Sequence, residues 1–350
     1  MSRYFTKTLA ALKPYVPGEQ PRDMKYVKLN TNESPFPPSE AAMKYASEHL
    51  RSLNLYPDPE SAGLIKALAD TYGVASEEVI VSNGSDEILF FAFKAFCDNE
   101  HKAVFPDITY GCYTVFANAN NVPYREIPLK EDLTIDTGDY AETGNTIVLA
   151  NPNAPTGIEL PRESIEELLK AHPDDIVIID EAYIDFGGES CIPLIKAYDN
   201  LLVVQTFSKS RSMAGARLGY AIGNRELIRD LNTIRNSFNP YNINSMTYSA
   251  AIGTLMDREY TLNNCREIIR VREYTVSELV RMGFKVLDSK ANFVFACSDR
   301  ISGEELYRRL KEKGVLIRHF AKDRIDNYNR ITIGTKEQMD ILLDRIREML

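Results

Sequence analysis

The sequence predicts an α/β fold: a large domain on a mostly parallel, doubly wound sheet, followed by a smaller α+β domain at the C-terminus. Three observations point there. Short apolar runs with no helical period, such as Leu201-Leu202-Val203-Val204 and Ile176-Val177-Ile178-Ile179, alternate with stretches of helical length. Polar turns containing Gly or Pro follow one run after another. The length, 350 residues with 44% hydrophobic, suits one large domain with a smaller companion. The expected division is an N-terminal arm over 1–29, a large domain over 30–255 and a small domain over 256–350.

Residues 1 to about 38 are proline-rich and irregular. Ser39 caps a helix that runs to about Leu50, and a second helix follows the rigid loop Tyr56-Pro57-Asp58-Pro59. Strands are expected over 79–81, 103–105, 146–150, 176–179, 201–204 and 218–222, with helices over 88–96, 162–170 and 226–234. A long helical region begins near Ser245 and runs through the charge-rich stretch 265–281 into the small domain. There, strands over 285–287, 293–296, 315–318 and 330–334 accompany helices over 303–313 and 336–350.

A net charge of −9 argues against nucleic acid as a main partner, though a local arginine cluster can still hold an anionic substrate. No apolar run approaches the roughly 18 residues of a membrane span. Five cysteines at 97, 112, 191, 265 and 297 show no Cys-x-x-Cys, and the N-terminus lacks an apolar signal core, so reduced thiols in a cytoplasmic protein are expected. The histidines at 49, 101, 172 and 319 have no ligand spacing, so no metal centre is expected.

The chemistry gathers at strand ends. Lys209, in Thr206-Phe207-Ser208-Lys209, comes just after an apolar strand, at the edge where open α/β sheets bind ligands. An amine there can attack a carbonyl and form a Schiff base. Thr206, Ser208 and Arg217 supply hydroxyls and a guanidinium, the makings of a phosphate site. An aldehyde that carries a phosphate is pyridoxal phosphate. Asp180 closes another apolar strand, where a buried carboxylate needs a cation such as a protonated pyridine nitrogen, and Tyr183 follows three residues on. Asn83-Gly84-Ser85-Asp86 reads as a turn into a helix N-terminus, an anion site in which Ser85 or Asp86 serves equally as a plain cap. Tyr110 follows a strand and is placed either to stack on a ring or to pack as an edge tyrosine. Two prolines and a glycine lock the loop Asn151-Pro152-Asn153-Ala154-Pro155-Thr156-Gly157, aiming the Asn153 amide at a ligand oxygen. Arg318 and Arg330 each flank a short strand; facing one cleft, they would form an anion clamp.

With these motifs in this order, nearly the whole chain resembles the fold type I aminotransferases, most closely the histidinol-phosphate aminotransferases. The resemblance rests on residues 29–35, 56–59, 83–87, 151–157, 180–183, 206–209, 217–222 and 330–335. It implies that pyridoxal phosphate is the cofactor, that Lys209 is bonded to it, that Asp180 pairs with its ring nitrogen, and that Asn153 and Tyr183 bond its ring oxygen. Tyr110 would stack on the ring. Ser85, Asp86, Thr206, Ser208 and Arg217 would hold the phosphate, with Tyr56 reaching it from the second subunit of a homodimer. Arg330 would bind the glutamate carboxylate and Arg318 the substrate phosphate, with Tyr15, Asn32 and Tyr241 nearby. The implied reaction is transamination of L-histidinol phosphate with 2-oxoglutarate. An aromatic amino-acid aminotransferase or an O-phosphothreonine decarboxylase of the same fold would keep the same core residues. Ala154 departs from the pattern, standing where a second asparagine is usual, which bears on fine specificity.

Overall fold

A computed structural model describes residues 2–10 and 12–350. Thirteen strands are assigned along the described residues. They are β1 (Val27–Lys28), β2 (Val79–Ser82), β3 (Lys102–Pro106), β4 (Tyr124–Ile127), β5 (Asn145–Ala150), β6 (Val177–Asp180) and β7 (Leu201–Thr206). Then come β8 (Gly219–Gly223), β9 (Phe284–Val286), β10 (Phe293–Ser298), β11 (Val315–Leu316), β12 (Arg318–His319) and β13 (Asn329–Thr332). The helices are α1 (Glu40–Glu48), α2 (Ala62–Tyr72), α3 (Ser85–Phe96), α4 (Cys112–Ala119), α5 (Arg162–Ala171), α6 (Arg225–Phe238), α7 (Ser245–Met256), α8 (Arg258–Arg281), α9 (Gly303–Glu312) and α10 (Lys336–Arg347).

The large sheet has seven strands in the order β2-β8-β7-β6-β5-β3-β4. Only β8 runs antiparallel to its neighbours, so the C-terminal ends of β2, β3, β5, β6 and β7 lie along one edge. The central strands β5, β6 and β7 are buried throughout, because helices cover both faces and apolar side chains pack on each side. One core cluster holds Ile147, Ile179 and Val203, and another holds Val148, Ile178 and Val204; the alternation along each strand sorts residues between the two faces. A third cluster, with Phe293, Ile331 and Leu342, belongs to the C-terminal part, where β12-β13-β10-β9 form an antiparallel sheet.

Several expectations change. The arm does not stay apart: β1 pairs in parallel with β11, and Leu29 joins the C-terminal core. The strand expected over 315–318 divides, Val315–Leu316 pairing with β1 and Arg318–His319 with β13. The long helical region from Ser245 breaks at Asp257, whose side chain caps α8 by accepting from Tyr260 N. Besides β1, the helix α4 and the edge strand β4 went unpredicted. Three of the four residues of β4 are exposed, so it has no apolar run to betray it.

Candidate active site

Asp180 ends β6 and is buried against the floor of a cavity of about 360 Å³. Its Oδ2 accepts from Tyr113 Oη at 3.0 Å, and its Oδ1 is buried with no partner. Desolvation pushes the carboxyl up to about 7, although the Tyr113 bond and the charge of Lys209 pull the other way. A buried carboxylate oxygen left this way calls for a cationic donor.

Lys209 follows β7 and opens into the same cavity. Its Nζ donates to Thr31 O at 3.3 Å and lies 5.7 Å from the centre of the Tyr183 ring. The two residues after it are tied down: Ser210 donates to Asp185, and Arg211 pairs with Asp185 at 3.0 Å. Asp185 sits just beyond Tyr183, so one carboxylate clamps the lysine loop to the segment that carries Asp180.

At the end of β2 the chain turns through Gly84 into α3, whose first turn has no side-chain cap. Its free N–H groups and the Ser85 hydroxyl face the cavity, a cradle for an anion. Two glycines make room. Gly84 has φ 82°, and a Cβ there would stand 2.6 Å from Arg217 Nη2. A methyl on Gly219 of β8 would collide with the backbone of Gly84 and Ser85. Arg217 Nη1 reaches Ser208 Oγ at 3.4 Å, and its Nη2 lies 3.4 Å from Asp86 Oδ2. The Thr206 hydroxyl donates to Leu218 O and accepts from Ser208 N at 3.1 Å, which shapes the loop from within. Asp86 was expected to hold phosphate. Its backbone lies in the uncapped first turn of α3, while its carboxylate accepts from Tyr110 Oη at 2.9 Å and faces Arg217.

A second cavity of about 280 Å³ shares Tyr110 and Ala154 with the first. Tyr15, Phe320, Arg318 and Arg330 line it. Arg330 donates from Nη2 to Asn30 O at 3.1 Å, its Nε is buried without a partner, and Phe293 and Phe320 flank its guanidinium. Among the described residues, the Arg318 guanidinium bonds the backbone oxygens of Val16 and Pro17 alone.

Four expected residues lie elsewhere. Asn153 does not line the cavity. Its amide donates to Ile108 O at 3.0 Å and Thr156 Oγ1 at 3.2 Å and accepts from Thr109 Oγ1 at 2.8 Å, so the locked loop turns it inward and presents Ala154 to the cavity. Asn32 is buried behind Tyr183, whose hydroxyl accepts from Asn32 Nδ2 at 2.9 Å. Tyr56 is 82% exposed and stacks on Tyr241 with ring centres 4.6 Å apart; neither lines either of these two cavities in its own chain. Tyr113, Thr31, Glu33 and Ala182 were missed. Thr31, Glu33 and Ala182 lie within the motifs 29–35 and 180–183, whereas Tyr113 sits in α4, a helix the sequence did not announce.

The family model for aminotransferase class I and II matches residues 24–346. The chain belongs to that family. It is 45% identical over 351 residues to a histidinol-phosphate aminotransferase of Clostridium botulinum and 47% identical over 352 residues to one of Brachyspira hyodysenteriae, covering 100% of this chain and 99% of each relative. Among solved structures, the histidinol-phosphate aminotransferase of Sinorhizobium meliloti, in complex with pyridoxal-5'-phosphate, superposes with a TM-score of 0.89 at 23% identity, covering 100% of this chain and 99% of that one. The aminotransferase fold here joins a seven-stranded mixed sheet to a smaller antiparallel sheet in the C-terminal part.

Proposed function

We propose that this aminotransferase moves the amino group of L-histidinol phosphate to 2-oxoglutarate, a step of histidine biosynthesis, with pyridoxal phosphate as cofactor. The residues fit that cofactor. The orphaned Oδ1 of Asp180 matches a protonated ring nitrogen, and the uncapped α3 N-terminus with Ser85, Ser208 and Arg217 matches a phosphate. When bound, pyridoxal phosphate supplies an aldehyde for exchange with the substrate amine and a cationic ring that draws electrons from the substrate Cα.

The protein does the rest. Asp180 keeps a proton at the ring nitrogen. The Lys209 amine, held over the cavity by the Asp185 clamp, carries a proton to and from the substrate carbon. Tyr183 donates to the ring oxygen. Tyr110, fixed by Asp86, and Ala182 line the same cavity, where Tyr110 would offer a stacking face to the ring. Thr206 shapes the phosphate loop. Tyr56, exposed with Tyr241 on the outer face, is offered to a second copy of the chain in a homodimer whose sites lie at the interface. The parts that meet here are an arm over 1–29, a large domain over 30–255 and a small domain over 256–350, with the strand at 27–28 tying the arm to the last.

The observation that carries the substrate reading is the pair Arg318 and Arg330. The two are cross-strand neighbours beside Tyr15 and Phe320, and no carboxylate pairs with either among the described residues. Two guanidiniums without carboxylate partners beside an aromatic slot suit the carboxylates of glutamate and the phosphate and flat ring of an imidazole phosphate ester. A panel comparing histidinol phosphate, phenylalanine, tyrosine and O-phosphothreonine under saturating pyridoxal phosphate tests this. The reading expects the highest kcat/KM with histidinol phosphate and glutamate formed from 2-oxoglutarate. Carbon dioxide release, or a preference for phenylalanine, would contradict it.

A further inference from the structure

Behind Tyr183 three buried side chains leave one satisfactory arrangement of protons. Thr332 Oγ1, at the end of β13, accepts the backbone N–H of Asn32 at 2.9 Å and lies 3.0 Å from Asn32 Oδ1. If Asn32 turned its Nδ2 toward Thr332, the threonine oxygen would take two donors and its own hydrogen would have no acceptor in a buried site. With Oδ1 toward Thr332, the threonine hydrogen has its acceptor: the hydroxyl donates to Oδ1, and Nδ2 donates to Tyr183 Oη at 2.9 Å. A phenol oxygen that accepts from Asn32 keeps its own hydrogen for another partner, and Tyr183 lines the cavity beside Lys209. The frame is rigid. Asn32 sits at φ 55°, a left-handed conformation, and Asn292 Nδ2 holds its carbonyl at 3.0 Å while Thr332 N holds the carbonyl of Leu29 at 3.0 Å.

With the Asn153 amide spent on Ile108 O, Thr109 Oγ1 and Thr156 Oγ1 and Ala154 forming the wall, no amide faces the cavity at that loop among the described residues. We propose that Thr332 is a positioning residue for the cofactor: acting through Asn32, it aims the Tyr183 hydroxyl hydrogen at the ring oxygen and makes Tyr183 that oxygen's chief donor. This rests on the pyridoxal-phosphate reading. The charged and titratable groups around Tyr183 are Lys209, Arg330 and Tyr15, with Asp86, Asp180, Glu33 and Arg217 lining the same cavity. None of them replaces the relay, because none bonds the Tyr183 oxygen.

The test uses the holoenzyme and reads its visible absorbance against pH. A hydrogen bond to the ring oxygen favours the deprotonated chromophore, in which that oxygen carries more negative charge, so losing the bond moves the midpoint to higher pH. Thr332→Val is expected to raise the midpoint by about one pH unit and to weaken pyridoxal phosphate retention about tenfold. Thr332→Ser, which keeps the hydroxyl, should match the wild type. In a Tyr183→Phe background, Thr332→Val should add nothing to the shift that Tyr183→Phe alone produces. Equal shifts in both backgrounds, or no shift in the wild-type background, would overturn the relay. If Thr332→Val does not accumulate as folded protein, Asn32→Asp enters the same cycle, because its carboxylate still accepts from Thr332 and can no longer donate to Tyr183. A shift larger with Tyr183 in place than in the Tyr183→Phe background supports the relay, and equal shifts overturn it. A wild-type protein that shows no visible band with pyridoxal phosphate would overturn the cofactor reading and the relay together.

Discussion

Arg318 and Arg330 stand opposite each other across β12 and β13, and no carboxylate pairs with either among the described residues. Like charges opposite each other in a sheet are unfavourable unless an anion joins them. Burial and the neighbouring Arg318 hold the Arg330 guanidinium below its ordinary value, the signature of a cation waiting for a partner.

The two arginines should therefore separate by half-reaction. Arg330→Ala is expected to raise KM for glutamate and 2-oxoglutarate about a hundredfold, and Arg330→Lys to recover only part, because an ammonium cannot present a planar fork. Arg318→Ala should weaken the phosphorylated donor more than glutamate. Stopped-flow traces of each half-reaction check this; equal losses in both would contradict separate roles.

Asp180 gives a pH signature. Its carboxyl titrates near about 7 in the folded chain against an ordinary 3.8, so the folded apoprotein binds a proton that the unfolded chain has lost. That contribution to stability is full below about pH 4 and is lost as pH rises through about 7. Apoprotein with Asp180→Asn should melt with the wild type at or below about pH 4 and on the order of 5 °C higher at pH 8. With pyridoxal phosphate bound, the variant should be the less stable of the two. A gap between the apoproteins that does not change with pH would exclude a raised carboxyl.

Tyr56 predicts complementation. Lys209→Ala should lower kcat at least about a thousandfold, and Tyr56→Ala should weaken cofactor binding. Mixed dimers of the two would contain one site with both residues intact if Tyr56 serves the other subunit. Unfolding and refolding an equal mixture should then restore activity well above either parent. No recovery would place Tyr56 outside its neighbour's site.

Gly219 tests the phosphate cradle. Gly219→Ala drives a methyl into the backbone of Gly84 and Ser85, so the α3 N-terminus must shift. Cofactor affinity should fall at least about tenfold, read by fluorescence titration; unchanged affinity would contradict the cradle.

Much of this was legible because strand ends carry it. Apolar runs located β5, β6 and β7 and with them Asp180 and Lys209, since a strand buried on both faces leaves an unbroken apolar signature. The loop 151–157 was found, but which of two adjacent residues faces the cavity depends on backbone direction, and the amide of Asn153 points away. Asn32 and Thr332 lie 300 residues apart, and no local pattern joins them. The Asp86 side chain was not legible, because a carboxylate at a helix start reads the same whether it caps the helix or orients a tyrosine. The exposed edge strand β4 and the division of β11 from β12 follow from pairing partners, which local periodicity does not encode.

The central claim is that one cavity brings Lys209 and Asp180 to a single pyridoxal phosphate ring. Borohydride reduction of the holoenzyme followed by peptide mapping tests it most directly. The account predicts loss of the visible band and a pyridoxyl label on the peptide containing Lys209. A label on another lysine, or none, would contradict it.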